Sequence, residues 1–290
     1  MAPPLAYLNG RFLPLSEVAI PLDDAGFVWG ATVTDRLRTF NGRLFALDAH
    51  LRRFRRSCDL ACVPQPVPNA QLGRITEYLV RENRHGGELS ATWIATPGAG
   101  SGSRMAPSPT LIAYTSPLDA QQFDRQAAHG IHLIPVPATL AVDPRVKHRS
   151  RLPWWIARRE VESREALAEP LLIEPGFDTV LETPTANFLS VLDGAVVSPP
   201  RETVLPGVTL GVVEDLCRHL GIRFSERRLT LPDLHHASEM LLANTIYCLA
   251  GVSRLGDRSV PFPGPMLDRL LDTWSQWVGV DIRRPTAGRS

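Results

Sequence analysis

Short apolar runs broken by Asn-Gly open the chain: residues 5–8 and 11–13 flank Asn9-Gly10, and residues 36–40 and 43–45 flank Asn41-Gly42. Both central positions of a two-residue hairpin need positive φ, which Asn and Gly adopt readily, so each dipeptide predicts an antiparallel hairpin. The apolar period then changes from two to 3.6. Leu51, Phe54 and Cys58 form the stripe of a helix capped by Asp48, and Leu72, Ile75 and Leu79 that of a second helix starting near Asn69. Strands follow at 93–95 and 111–114. A polar stretch at 119–129 predicts a linker, which divides the chain into a small α+β domain, 1–118, and a larger mixed α/β domain, 130–290.

Beyond the linker the pattern predicts a strand at 131–136, a loop holding Lys147, and a helix from Pro153, since proline suits a first helical turn. Strands at 171–173 and 179–181 precede a hairpin turned by Asp193-Gly194 between 188–192 and 195–197. A helix with Val212, Val213, Leu216 and Leu220 on one face ends at Gly221. The apolar run 240–252 is interrupted by Asn244 and Thr245, so no membrane span is expected. The first residues lack the basic and apolar regions of a secretory signal, which points to the cytoplasm.

Composition narrows the chemistry. With 290 residues, 44% hydrophobic, and a formal net charge of +1, the chain is expected to build a sizeable core. The run Arg52-Arg53-Phe54-Arg55-Arg56 therefore reads as the solvated face of an amphipathic helix and not as a nucleic-acid site. Within it His50, Arg53 and Ser57 fall along one edge beside the apolar stripe, so Arg53 is the arginine placed to reach inward toward an anion. The eight histidines show no metal-ligand spacing and the four cysteines no disulfide framework; no metal is expected. The loop at 98–103 fits no nucleotide fingerprint and reads as a turn, and no G-x-S-x-G nucleophile elbow occurs.

Of the 31 basic residues 30 are arginine, and the one lysine is Lys147. Arginine replaces lysine as a solvated charge but not as an amine that can lose its proton, which makes Lys147 a candidate nucleophile for Schiff-base chemistry. Pro206-Gly207-Val208-Thr209 places glycine and a hydroxyl where a loop becomes a helix, so backbone N–H groups and the helix dipole converge there on an anion.

Taken in order, these pieces resemble the fold-type IV pyridoxal-phosphate enzymes, which comprise branched-chain and D-amino-acid aminotransferases and 4-amino-4-deoxychorismate lyase. The resemblance runs over Asp24-Ala-Gly-Phe-Val-Trp-Gly30, Asn41-Gly-Arg-Leu-Phe45, His50-Leu-Arg-Arg53, Lys147-His-Arg-Ser-Arg151, Leu181-Glu-Thr-Pro-Thr-Ala-Asn187, Leu205-Pro-Gly-Val-Thr209 and Glu239-Met-Leu-Leu-Ala-Asn-Thr245. It implies a small N-terminal α+β domain and a larger C-terminal mixed-sheet, pseudo-barrel domain. It also implies that Lys147 carries pyridoxal phosphate as a Schiff base and later moves the proton, and that Glu182 bonds the pyridine nitrogen. Arg53, the N–H groups of Val208 and Thr209 and the Thr245 hydroxyl would hold the phosphate. Thr34, Arg38 and Asn187 are placed by the resemblance on the substrate side.

Three departures from the family lie on that side. Thr34-Asp35-Arg36-Leu37-Arg38 stands where the family has Phe-Glu before a hydrophobic residue and arginine, Glu182-Thr183-Pro184 where it has Glu-Gly-Ser, and Leu152 where branched-chain enzymes have tyrosine. The expected activity is transfer of an amino group between a branched-chain or D-amino acid and a 2-oxo acid by a homodimer. The alternatives are the lyase, releasing pyruvate and 4-aminobenzoate, and a non-catalytic protein that keeps the fold and cofactor.

Overall fold

Asn9-Gly10, Asn41-Gly42 and Asp193-Gly194 each turn a hairpin, with φ of 45° and 93°, 52° and 70°, and 49° and 73° at their two residues. These are the left-handed values that Asn, Asp and Gly tolerate best, so the strongest local signals in the sequence are met. The structure, a computed structural model, describes residues 3–84, 86–100, 108–138 and 142–284. They fall into two units: residues up to Leu118 with Val146–Ser150, and Asp119–Arg145 with the chain from Arg151 onward.

The first unit contains β1 (Leu5–Leu8), β2 (Arg11–Pro14), α1 (Ala25–Val28), β3 (Val33–Phe40), β4 (Arg43–Leu44), α2 (Leu47–Leu60), α3 (Asn69–Asn83), β5 (Leu89–Thr96) and β6 (Thr110–Pro117). Its six strands form one sheet in the order β2-β1-β6-β5-β3-β4. Helices α2 and α3 cover one face: the rings of Phe54 and Trp93 lie 5.5 Å apart, and Trp93 Nε1 donates to Thr76 Oγ1 at 2.8 Å. Leu37, Phe54, Leu72, Leu79 and Leu111 are fully buried there, each stabilising the unit by roughly 1.5–3 kcal/mol relative to exposure. Helix α2 begins one residue earlier than its expected cap. Ala46 takes the left-handed conformation before it, and Asp48 lies in the first turn, where its charge still suits the helix dipole.

The second unit contains α4 (Ala120–His129), β7 (Ile131–Pro137), α5 (Leu152–Arg164), β8 (Glu169–Ile173), β9 (Thr179–Val180), β10 (Asn187–Leu192), β11 (Ala195–Ser198), α6 (Val208–His219), β12 (Phe224–Glu226), β13 (Leu229–Thr230), α7 (Leu231–Leu234), β14 (Glu239–Asn244), β15 (Cys248–Leu255), β16 (Arg258–Ser259) and α8 (Pro265–Val278). The strands run β12-β11-β10-β14-β15-β7-β8-β9-β13, with β16 beside β15. The sheet is mixed: β15–β7, β7–β8 and β11–β12 are parallel pairs and the rest antiparallel. Between β7 and β8 the chain crosses over through α5, whose Ala157 and Val161 pack on Val136 and Leu172. The apolar run 240–252 becomes the hairpin β14–β15. Its polar interruption is the turn, in which Asn244 Oδ1 accepts from the N–H groups of Ile246 and Tyr247.

Two expectations are corrected. The supposed linker 119–129 is α4, because Asp119 accepts from the N–H groups of Gln121 and Gln122 and Phe123 anchors the helix at 3% exposure. Residues 146–150 join the first unit, not the second, because they pair with the start of β3. Helix α8 was not anticipated, although Pro265 at its start, Gly279 beyond its end and the stripe Met266, Leu267, Leu270, Leu271 and Trp274 mark it. Among the described residues no helix is long and apolar enough to cross a membrane.

Candidate active site

In the first unit the inward edge of α2 meets β3 at a buried ion cluster. His50, Arg53 and Ser57 recur at helical spacing on that edge. Asp35 Oδ1 accepts from Arg53 Nη2 at 2.7 Å and lies 2.8 Å from His50 Nδ1, while Oδ2 accepts from Arg53 Nε at 2.9 Å. Burial pushes the Asp35 carboxyl up, but Arg53 and His50 outweigh it and hold the group well below the usual carboxylate range. Burial holds His50 below the usual imidazole range, Asp35 opposing and Arg53 and Lys147 adding to the shift. A neutral His50 beside an ionised Asp35 donates from Nδ1. Arg53 therefore turns inward as its spacing implied, and the first anion it meets is Asp35. Its Nη1 has no hydrogen bond among the described residues.

Ser57 on the same edge accepts from the Lys147 N–H at 3.1 Å. The Lys147 carbonyl accepts from Thr34 N–H at 2.9 Å, Arg149 N–H donates to the Thr32 carbonyl at 2.9 Å, and Val33 faces His148 across an isolated antiparallel bridge. Residues 147–149 thus lie along the start of β3 as a short added strand, and the half-buried lysine projects from a backbone fixed on both sides. Thr34 Oγ1 donates to the Trp93 carbonyl at 2.8 Å. Arg38, 2% exposed, donates from Nε to the Thr39 carbonyl at 3.2 Å and stacks 4.2 Å from the centre of the Phe40 ring.

In the second unit Glu182 follows β9, and Asn187 begins β10. Glu182 Oε2 accepts from Asn187 Nδ2 at 2.9 Å and Oε1 from Leu205 N–H at 3.2 Å; Asn187 Nδ2 also donates to the Leu205 carbonyl at 2.8 Å. The departure Thr183-Pro184 closes the turn between the two residues: Thr183 Oγ1 accepts from the N–H groups of Thr185 and Ala186 at 3.3 and 2.9 Å. Helix α6 then starts at Val208 behind Gly207, with no side-chain cap over its first N–H groups. A Cβ at Gly207 would lie 2.0 Å from Asn187 Oδ1, so the backbone passes Asn187 more closely than any side chain permits. Asn187 pairs with Ala243 across β10 and β14, which puts the turn bearing Thr245 at the same end of the sheet.

Gly207→Ala tests this close passage. The methyl group must displace Asn187 and with it a partner of Glu182, so a stability loss of about 1–3 kcal/mol is expected, with weaker uptake of cofactor. Thermal unfolding and absorbance titration with pyridoxal phosphate check both.

Each unit by itself carries donors of the kind pyridoxal phosphate takes: the first a primary amine, the second a carboxylate of the kind that bonds a ring nitrogen and an uncapped helix N-terminus of the kind that binds a phosphate. Fold and donors together define a class, the pyridoxal-phosphate enzymes of fold type IV. Residues 32–255 match the family described as amino-transferase class IV, and the chain belongs to that family. It is a pyridoxal-phosphate-dependent aminotransferase. The D-alanine aminotransferase of Staphylococcus aureus strain MW2 is 25% identical over 283 residues, covering 94% of this chain and 97% of that protein. The D-alanine aminotransferase of Bacillus licheniformis is 26% identical over 269 residues, 89% and 91% of the two chains. Among solved structures, the Escherichia coli branched-chain amino acid aminotransferase superposes with a TM-score of 0.86 at 19% identity, covering 96% of this chain and 94% of that one.

Sequence reasoning treated Asp35 and Arg36 only as departures. The signal that could have singled out Asp35 is its alternation in β3: it shares a face with Leu37, the face that α2 covers, so a carboxylate there needs the arginine of that helix edge.

Proposed function

We propose that this aminotransferase takes its amino group from a D-amino acid of the D-alanine type and passes it to a 2-oxo acid. The observation that carries this reading is the near full-length similarity to two D-alanine aminotransferases, at 25% and 26% identity. In this reading Lys147 Nζ would hold the cofactor covalently, would be set free as the substrate's amino group takes its place, and as the free amine would take the proton from the substrate Cα and give it back as the amino group changes hands. Glu182, fixed by Asn187 and Leu205, accepts a hydrogen bond from the pyridine N–H. Arg53, the Val208 and Thr209 N–H groups and the Thr245 hydroxyl hold the phosphate, and Thr34, Arg38 and Asn187 border the substrate. When bound, the cofactor supplies an electron sink that eases loss of the Cα proton.

The same proposal has the enzyme working as a homodimer in the cytoplasm, with neither nucleic acid nor membrane as partner. Large apolar side chains stand exposed on each unit, Leu22, Phe27 and Trp29 on the first and Leu152, Trp155 and Ile156 on the second, as subunit interfaces require. All four cysteines are free thiols, in keeping with a reducing compartment.

The test is a visible spectrum of the reconstituted holoenzyme during addition of D-alanine, L-leucine or L-glutamate without acceptor. D-alanine is expected to bleach the yellow colour. Bleaching by L-leucine alone moves the assignment to the branched-chain enzymes, and a colour that survives all three donors moves it to the lyase.

A further inference from the structure

The six-stranded sheet has a second face. Helices α2 and α3 cover the side bearing Asp35, Leu37 and Trp93, so strand alternation turns Thr34, Arg36 and Arg38 to the other side. The registers of β5 and β6 set Thr92 and Tyr114 beside Arg36, and Ser90 beside Arg38. The antiparallel bridge between Val33 and His148 puts Lys147 opposite Thr34 and Arg149 opposite Thr32 on this same side. Arg36 is thus one same-face step along β3 from the residue facing Lys147.

Among the described residues Arg36 has no counter-ion. Its Nη2 donates to Ser90 Oγ at 2.9 Å, its Nε is buried without a hydrogen-bond partner, and among the described residues it forms no ion pair. Three other partly buried arginines do have carboxylates: Arg53 has Asp35, Arg201 has Glu214 and Glu226, and Arg254 has Glu165. Burial holds the Arg36 guanidinium below the usual arginine range, with Tyr114 opposing and Arg149 adding to the shift. Two like charges beside a phenol and a hydroxyl are costly when left alone and form a strong site once an anion enters.

We propose that Arg36, with Arg149 and Tyr114, receives a carboxylate of the amino-acid or oxo-acid substrate on the sheet face that carries Lys147. The proposal deepens the proposed function and rests on its assignment of Lys147 as the reacting amine. Nε and Nη2 form the edge of a guanidinium that grips a carboxylate through two parallel bonds, and Nε is already without a partner. The carboxylate is either the one on the reacting carbon or one at the far end of a dicarboxylic substrate.

Calorimetric titration of the holoenzyme with 2-oxoglutarate, pyruvate and the uncharged analogue pyruvamide tests it, using the unaltered protein, Arg36→Gln and Arg36→Lys. Arg36→Gln is expected to weaken acid binding roughly 10- to 100-fold and Arg36→Lys less, the scale of losing a charge-assisted pair. A loss confined to 2-oxoglutarate assigns the distal carboxylate. Parallel losses for both acids with pyruvamide unaffected assign the carboxylate next to the reacting carbon. Equal acid affinities in the protein and its variants, an equal loss for pyruvamide, or no acid binding by the unaltered holoenzyme overturns the proposal. Should Arg36→Gln fail to fold by circular dichroism, Arg149→Gln, at an exposed position, carries the same comparison with the same outcomes. The yellow colour separates the two readings, since it reports Lys147 and not Arg36.

Discussion

Lys147→Ala is expected to abolish the yellow colour and amino transfer together while leaving the melting temperature unchanged. The backbone at this position is held by its own groups: the N–H donates to Ser57 Oγ and the carbonyl accepts from Thr34 N–H, and alanine keeps both bonds. What the substitution removes is the chain's one primary side-chain amine, since every other basic residue is arginine. Loss of a covalent catalytic group lowers turnover on the order of 10⁴- to 10⁶-fold. Lys147→Arg distinguishes the amine from its charge, because guanidinium keeps the charge and cannot give up a proton to attack a carbonyl. It too should be colourless. Circular dichroism, visible absorbance after reconstitution and a coupled amino-transfer assay check the three parts, and a coloured, active Lys147→Ala protein would remove Lys147 from the chemistry.

The sequence was most legible where one residue type had few jobs open to it. A lone lysine among arginines, a Pro-Gly before a helix and Asn-Gly between apolar runs each carry a narrow physical meaning, and the hairpins formed where they were expected. Helix α4 was missed because Asp119 and Phe123 make a helix out of a stretch whose remaining residues look like a linker. The counter-ion of Arg53 was missed for a different reason. It comes from β3, 18 residues earlier in the chain, and nothing local announces which face of that strand α2 covers. Arg36 and Asp35 are neighbours in sequence yet occupy opposite faces of the sheet, one without a counter-ion among the described residues and the other held by an arginine and a histidine. That difference exists only once the registers of β3, β5 and β6 are set.

Asp35→Asn is expected to lower the stability of the folded protein by about 3 kcal/mol, because it leaves Arg53 buried against a neutral amide. On the scale of a domain this size the melting temperature falls by roughly 10 °C. The pH dependence separates this from a packing defect. In the native protein Asp35 is held below its unfolded value of about 3.9, so its contribution is complete above that pH and is lost as pH falls toward the folded value. His50 is also held below its unfolded value, of about 6.5; once pH drops under that value the unfolded chain binds a proton that the buried imidazole resists, and stability falls. The unaltered protein should therefore lose stability in two stages on acidification, beginning below about pH 6.5 and steepening below about pH 4. Asp35→Asn removes the second stage and keeps the first, since the amide does not titrate and burial still opposes charge on His50. Urea unfolding at a series of pH values from 8 to 3 reads both stages, and an acid limb of unchanged steepness in Asp35→Asn would show that the cluster's carboxylate is not what acid destroys.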